Sequence, residues 1–229
     1  MKAKNVPVYE GNLRRFAIRV PKVIHECSGI VIFGKRIKSL VFSTDLSVIR
    51  NINADAIFAV YPFTPQPIIN EALLMAADIP VFTGVGGGLT QGDRVIDLAR
   101  SAEHQGAIGV VLNAPTKNEV VSRVKKLVDL PVVLTIGSEG TKESYQGRID
   151  AGVDIFNVSG GAQTAAIVRH IREDFPDFPI IATGGPTEQS IAETIEAGAN
   201  AITYTPPSSG EIFKDIMAAY RQNLAHPEF

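Results

Sequence analysis

From residue 39 onward, short apolar runs alternate with longer amphipathic stretches. One class of run opens on small residues: ADAIFAV at 54–60, GAIGVVL at 106–112, GVDIFNV at 152–158 and GANAITY at 198–204. A second class opens around a proline: IPVF at 79–82, LPVVL at 130–134 and FPIIA at 178–182. The two classes take turns, each returning about every 50 residues. Short β-branched runs bounded by Gly and Pro predict buried parallel strands, and proline is tolerated at the first position of a strand. The stretches between carry helical periodicity, at 66–78, 92–105, 117–129, 142–151, 164–175, 188–197 and 210–224. Within 120–128, Val120, Val121, Val124, Leu127 and Val128 share one face, and Arg123, Lys125 and Lys126 fall elsewhere. With SLVFS at 39–43 as the first strand and a short first helix over 45–52, eight β–α units result. Eight such units predict a closed (β/α)8 barrel, a TIM barrel, rather than an open sheet. An open doubly wound sheet calls for a dinucleotide fingerprint or a break in the repeat, and the chain has neither.

Ahead of the first unit, GIVIF at 29–33 and IKSL at 37–40 flank Gly34-Lys35-Arg36 and predict a hairpin over the N-terminal mouth of the barrel. The expectation is one domain over 1–229, with 1–38 as an N-terminal cap segment and 39–224 as the barrel. The last four residues, 226–229, read as a frayed end. A chain of 229 residues buries a core large enough to need no disulfide or structural metal, and the single Cys27 allows no disulfide within the chain. That fits a reducing cytoplasm. The formal net charge of −2 gives no electrostatic reason to expect nucleic acid or an anionic membrane as partner. The N-terminal stretch MKAKNVPVYEGNLRRF lacks the apolar segment of a signal peptide, and no run approaches the length of a membrane span.

Active sites of this fold sit at the C-terminal ends of the strands, so the residues just past each apolar run are the candidates. The last two loops carry the clearest signal. After the seventh barrel strand, Thr183 is followed by Gly184 and Gly185, whose backbone N–H groups can approach a ligand with no Cβ in the way. After the eighth, Ser208, Ser209 and Gly210 open the last helix, where free N–H groups and the helix dipole favour an anion. The plainer alternative makes Gly184–Gly185 a turn and Ser208 or Ser209 an N-cap.

The segment IIATGG at 180–185, followed by EAGANAI at 196–202, resembles the closing quarter of the phosphate-binding TIM-barrel superfamily. That group includes thiamine phosphate synthase, 2-keto-3-deoxy-6-phosphogluconate aldolase and nitronate monooxygenase-type barrels. The resemblance covers roughly 150–210 and implies a barrel with a phosphate site, not a reaction. The whole chain is also similar to an uncharacterised bacterial barrel family that carries a generic hydrolase label. The Schiff-base lysine of the aldolases has no counterpart here: the sixth barrel strand shows Asn157, and Lys117 reads as the start of a solvated helix.

Other strand ends add candidates. Gly86, Gly87 and Gly88 after the third barrel strand suit an anion-binding nest or a mobile loop, or merely a flexible connection. Ser159 and Gly160 after the sixth suit a close approach to ligand, with Ser159 hydrogen bonding it. Asn113, Asn157 and Thr183 would orient substrate, alongside Tyr61, Thr135 and Tyr204. Asp45 and Glu139 are the strand-end carboxylates and the first choices for acid–base catalysis, with N-cap and solvated loop as their alternatives. A hydrolase would rely on these two, with or without a divalent metal held between them. None of the histidines, His25, His104, His170 and His226, falls at a strand end, which argues against a His-based zinc site or a Ser-His-Asp triad. Cys27 near His25 reads as structural.

Three functions follow. The first is an enzyme acting without imine chemistry on a small phosphorylated metabolite: a lyase, isomerase, synthase or hydrolase. The second is an oxidoreductase holding FMN by its phosphate at the same loops. The third is a non-catalytic sensor of a phosphorylated metabolite. A homo-oligomer is the expected assembly.

Overall fold

The computed structural model describes residues 7–9, 11–12 and 17–229. Most of the predicted cap segment before residue 17, and most of the N-terminal stretch searched for a leader, lies outside the described residues. A two-stranded antiparallel hairpin comes first: β1 (Ile30–Ile32) and β2 (Lys35–Ile37). Eight parallel strands then close into a barrel: β3 (Ser39–Phe42), β4 (Ala56–Ala59), β5 (Val81–Gly86), β6 (Gly109–Leu112), β7 (Val132–Ile136), β8 (Ile155–Val158), β9 (Ile180–Thr183) and β10 (Ala201–Tyr204). β10 pairs with β3 and completes the ring. The helices are α1 (Leu46–Ile49), α2 (Pro67–Ala76), α3 (Asp93–His104), α4 (Asn118–Leu127), α5 (Lys142–Asp150), α6 (Thr164–Asp174), α7 (Glu188–Glu196) and α8 (Ser209–Arg221). The TIM-barrel expectation is met. The first helix is shorter than 45–52, ending after one turn at Ile49, and the other helices end within a few residues of their expected bounds.

Closure covers both faces of every strand, which is why the runs are continuously apolar. The period of two still separates two cores. Inside the barrel lie Leu40, Ala56, Phe58, Phe82, Val111, Val133, Ile155, Ile181 and Ala201. Outside, against the helices, lie the alternate residues, among them Val41, Ile57, Val110, Leu134, Phe156 and Ile202. Phe42, Phe58 and Phe82 face one another across β3, β4 and β5, with successive ring centroids 6.4 and 6.2 Å apart. On the next strand Gly109 makes room for them: a Cβ there would sit 2.6 Å from the Phe82 ring.

The hairpin closes the N-terminal mouth, since Ile32 and Ile37 join the inner core. Its turn is the pair Phe33–Gly34, with φ of 46° and 78°. Positive φ at both central residues matches the twist of a two-residue hairpin. Lys35 and Arg36 therefore belong to β2 and not to the turn, and Ser39 and Leu40 belong to the barrel.

The polar residue within the repeated strand entry also has a purpose. Asp55 Oδ2 accepts the N–H groups of Lys38 and Ser39 at 2.9 and 3.0 Å, at the start of β3. Asp154 Oδ2 accepts Val132 N–H at 2.8 Å at the start of β7, and pairs with Lys125. Asn200 Oδ1 accepts Ile180 N–H at 2.9 Å at the start of β9. Each satisfies a strand-end N–H that burial would otherwise leave unpaired. At the far end of the chain the tail is not frayed: the Phe229 carbonyl accepts Arg19 N–H at 3.2 Å and its ring packs on the outer core.

Two glycines facing the barrel interior make a paired test. Gly109→Ala should destabilise the protein by about 1–3 kcal/mol through overpacking against Phe82. Gly84→Ala should be close to neutral, because its added Cβ would meet Val60 Cγ2 at 3.4 Å, an ordinary contact. Urea unfolding of both variants checks this, and equal losses would refute the interior packing described.

Candidate functional site

At the C-terminal mouth the inward positions of the apolar runs give way to polar ones, but only on one side. Asn113 follows β6, Thr135 lies in β7, Asn157 lies in β8, Thr183 ends β9 and Thr203 lies in β10. Asn157 and Thr203 are 6% and 5% exposed, so their polar atoms need partners. Asn157 Nδ2 donates to Thr135 Oγ1 at 3.2 Å. Thr183 Oγ1 donates to the Val158 carbonyl at 3.0 Å, and Thr203 Oγ1 to the Ala182 carbonyl at 3.3 Å. The side-chain amide of Asn113 has no hydrogen-bond partner among the described residues. Over β3, β4 and β5 the corresponding positions are Phe42, Val60 and Gly84.

A cleft of about 910 Å³ opens over β9 and β10, between the first turns of α7 and α8. Thr183, Gly185, Thr203, Tyr204 and Lys214 contribute to its walls, and Glu188, Glu211 and Asp215 line it as well. The predicted phosphate loops border this cleft, but they do not all offer free donors. Gly184 N–H donates to the Thr203 carbonyl, and a Cβ at Gly184 would meet Ile191 and Ile202 at 2.7 and 2.8 Å. Gly184 is thus required by packing, and its N–H is held within the protein. Gly185, at φ 81°, has an N–H with no acceptor among the described residues.

The start of α8 is partly filled by the protein's own carboxylates. Glu211 accepts Ser208 N–H at 2.8 Å and Ser208 Oγ–H at 2.7 Å, and Ser208 Oγ accepts Glu211 N–H in return, a capping box. Ser209 N–H donates to Asp45 Oδ2 at 3.3 Å. Ser208 is therefore the N-cap that the sequence allowed as its alternative. Of the three predicted residues, Gly210 keeps an unclaimed N–H. Lys214, one turn further on, makes no ion pair with a described residue. The sequence reading missed it, although its spacing of four from Gly210 puts it on the same face of a helix.

Asp45 likewise takes its capping role. Its Oδ1 accepts Ser47 N–H at 2.9 Å, Ser47 Oγ–H at 2.7 Å and Val48 N–H at 3.3 Å. Burial alone would raise its pKa, but the hydrogen bonds from Ser209, Ser47 and Val48 outweigh that and hold it at about 2, below the ordinary 3.8. A carboxylate so fully engaged is a poor proton acceptor, which removes the main reason for reading Asp45 as a catalytic base. Glu139 stands on the other side of the mouth, because β3 and β7 are four strands apart in a ring of eight. It is largely exposed, with Oε1 3.9 Å from His170 Nδ1. His170, on α6 and not at a strand end, turns its Nε2 to the Gly140 carbonyl at 3.1 Å. Asp45 and Glu139 cannot share a metal ion across that separation. Among the described residues no group of three His, Cys, Asp or Glu side chains is placed to hold one.

In the glycine-rich loop, Gly86 and Gly87 have φ of 115° and 104°, which favours glycine at both. Gly87 N–H donates to the Thr90 carbonyl, and a Cβ on Gly87 would strike Thr116 Oγ1. These two glycines let the loop fold onto residues 113–116, with the β5 register shifting between Gly84 and Gly86. Gly160 N–H donates to Thr164 Oγ1 and a Cβ there would strike Ile167, which leaves Ser159, exposed at the rim, as the usable member of that pair. Cys27 lies buried below the barrel; burial, offset in part by Lys38, raises its thiol pKa to about 11, which fits a structural role. Among the described residues no helix is long and apolar enough to cross a membrane.

No protein-family model matches the chain, and no curated protein matches it in sequence. Solved structures do match its fold. Phosphoenolpyruvate phosphomutase from Streptomyces platensis subsp. rosaceus superposes with a TM-score of 0.63 at 14% identity, over 87% of this chain and 83% of that one. 2,3-Dimethylmalate lyase, a PEP mutase/isocitrate lyase superfamily member, gives 0.63 at 15% identity, over 92% and 84%. Phosphonopyruvate hydrolase in complex with oxalate and Mg2+ gives 0.62 at 13% identity, over 84% and 85%. At such identities the likeness establishes the TIM barrel. It does not extend to the thiamine phosphate synthase, aldolase and nitronate monooxygenase families that the closing segment resembles.

The capping geometry makes a prediction about acid. Because the folded pKa of Asp45 lies below the ordinary value, its contribution to stability is complete above about pH 4 and lost as pH falls from 3.8 toward 2. Asp45→Ala should cost about 0.5–2 kcal/mol at neutral pH and flatten this part of the stability–pH curve. Denaturant unfolding from pH 7 down to pH 2 reads both effects, and an unchanged acid limb would refute the double cap.

Proposed function

We propose that the protein is an enzyme acting on a small phosphorylated metabolite at the C-terminal mouth of the barrel, with the phosphate held over β9 and β10. The observation that carries this reading is a pair of donors in one cleft, Gly185 N–H and the Lys214 ammonium, with the Gly210 N–H at the start of the helix that bears Lys214. Backbone N–H groups at a loop and a helix start, with one lysine, form a natural phosphate cradle. The remainder of the substrate would meet Asn113, Asn157, Thr183 and Ser159. Similar folds named as a phosphomutase and a phosphonopyruvate hydrolase support the choice of substrate class.

The reaction is an elimination, isomerisation, condensation or hydrolysis that needs no imine, because no barrel strand carries a lysine at its C-terminal end. Glu139 is the candidate proton-transfer group, being the largely exposed strand-end carboxylate whose one ion-pair contact among the described residues is the His170 ring at 3.9 Å. The cleft's own carboxylates, Glu188, Glu211 and Asp215, oppose long-range attraction of an anion. Binding must therefore rest on direct donors, and phosphate affinity should change little with ionic strength between low and physiological salt.

Thermal unfolding against sugar phosphates, inorganic phosphate and FMN, with and without Mg2+, tests the proposal. A ligand present at about 100 times its Kd should add about 2.7 kcal/mol to stability. Lys214→Ala lies on an exposed helix surface and should weaken phosphate binding about tenfold without lowering the melting temperature of the free protein. Stabilisation by FMN alone would transfer the site to a flavin enzyme. Tight binding without turnover of any substrate would make the protein a sensor. No stabilisation by any phosphate compound would refute the phosphate cradle.

A further inference from the structure

The mouth has two unlike halves, and this sets what the other end of the ligand must be. Opposite the polar rim, a second pocket of about 190 Å³ lies between the loop after β4 and the glycine-rich loop after β5. Its walls include Val60, Phe63, Pro65 and Leu89, with the uncharged polar side chains of Tyr61, Thr64, Thr90 and Asn113 also in its lining, and it has no charged side chain. Phe63 and Leu89 are 75% and 102% exposed, so two large apolar side chains stand in water on either side of the same opening. Beneath them the inner core is aromatic, with Phe58 against Phe82. An apolar cavity of about 150 Å³ is enough to take up a benzene ring.

The backbone keeps this pocket open. Gly84 occupies an inward position of β5, where any side chain would project toward Val60. The Asn113 amide at the edge has no protein partner and can serve one polar atom of the incoming group. Between the cleft at β9–β10 and this pocket at β4–β5 lie two to three strand spacings, about 10–14 Å.

We infer that the ligand is an amphiphilic phosphate monoester, whose phosphate sits over β9–β10 and whose uncharged apolar end, of ring or branched-chain size, fills the pocket over β4–β5. This rests on the phosphate reading above. Sugar phosphates, hydroxylated at every carbon, are therefore the wrong class of substrate. The apolar end contributes affinity by leaving water, and its distance from the phosphate sets the length of the ligand that fits.

Calorimetric titration with a series of ω-phenylalkyl phosphates, with methyl phosphate and inorganic phosphate as references, tests the inference. Affinity should rise with linker length, reaching about ten- to hundredfold over methyl phosphate once the ring spans to the pocket, and then level off or fall. In Phe63→Ser and Leu89→Ser, both at exposed positions, the ratio of phenylalkyl to methyl phosphate affinity should collapse toward one. Gly84→Leu, which fills the pocket, should do the same. Equal affinity for all the phosphates would overturn the apolar subsite and leave the phosphate cradle standing. No binding by any of them, inorganic phosphate included, would overturn the cradle and this inference together.

Discussion

Closure of the parallel barrel is the constraint on which the remaining structure depends. It places every strand between two apolar layers, so alternate residues must satisfy an inner core and an outer one at the same time. Polar side chains can then enter the interior only at the rim, where water or a ligand reaches them. That is where Asn113, Thr135, Asn157, Thr183 and Thr203 lie. Phe58 and Phe82 fill the interior beside β4 and β5, with the exposed Phe42 stacked above them at the end of β3, and Gly109 makes room for Phe82. The unequal mouth is a consequence of this packing.

Closure also decides how the helix starts are used. Bringing β10 beside β3 sets the first turn of α8 next to Asp45, a hydrogen bond between residues 164 positions apart in sequence. One carboxylate thereby caps α1 and contributes to the start of α8. Glu211 takes up Ser208 from the other side. The N–H groups of Ser208, Ser209 and Glu211 are thus held within the protein, and the proposed cradle is left with Gly210, Gly185 and Lys214. Competition of this kind explains why a Ser-Ser-Gly helix start, taken alone, overstates the anion site.

Much of the fold was legible because the repeat expresses local rules: β-branched runs, a tolerated proline at strand starts, and Gly or Ala where strand entries pack closely. The hairpin was legible as well, but its register was not. Gly34-Lys35-Arg36 suggested a three-residue turn, whereas the backbone turns on Phe33 and Gly34 and returns Lys35 to the strand. The site was legible by position and less so by role. Thr203 could have been found by counting in steps of two from Ala201, and Lys214 by one helical turn from Gly210. The capping of Asp45 by Ser209, the burial of Gly184 against Ile191 and Ile202, and the turn of His170 toward Gly140 all depend on contacts between distant segments. No local pattern encodes these.

Glycine backbone amides give the most direct view of the central claim, that a phosphate group rests on Gly185 and Gly210. An amide NMR titration with inorganic phosphate should shift the resonances of Gly185 and Gly210 progressively and saturably. Gly184, whose N–H is already held by the Thr203 carbonyl, should move far less. Saturable shifts confined to Gly87, Gly88 and their neighbours, with Gly185 and Gly210 unmoved, would contradict the account and place the anion over β5 instead.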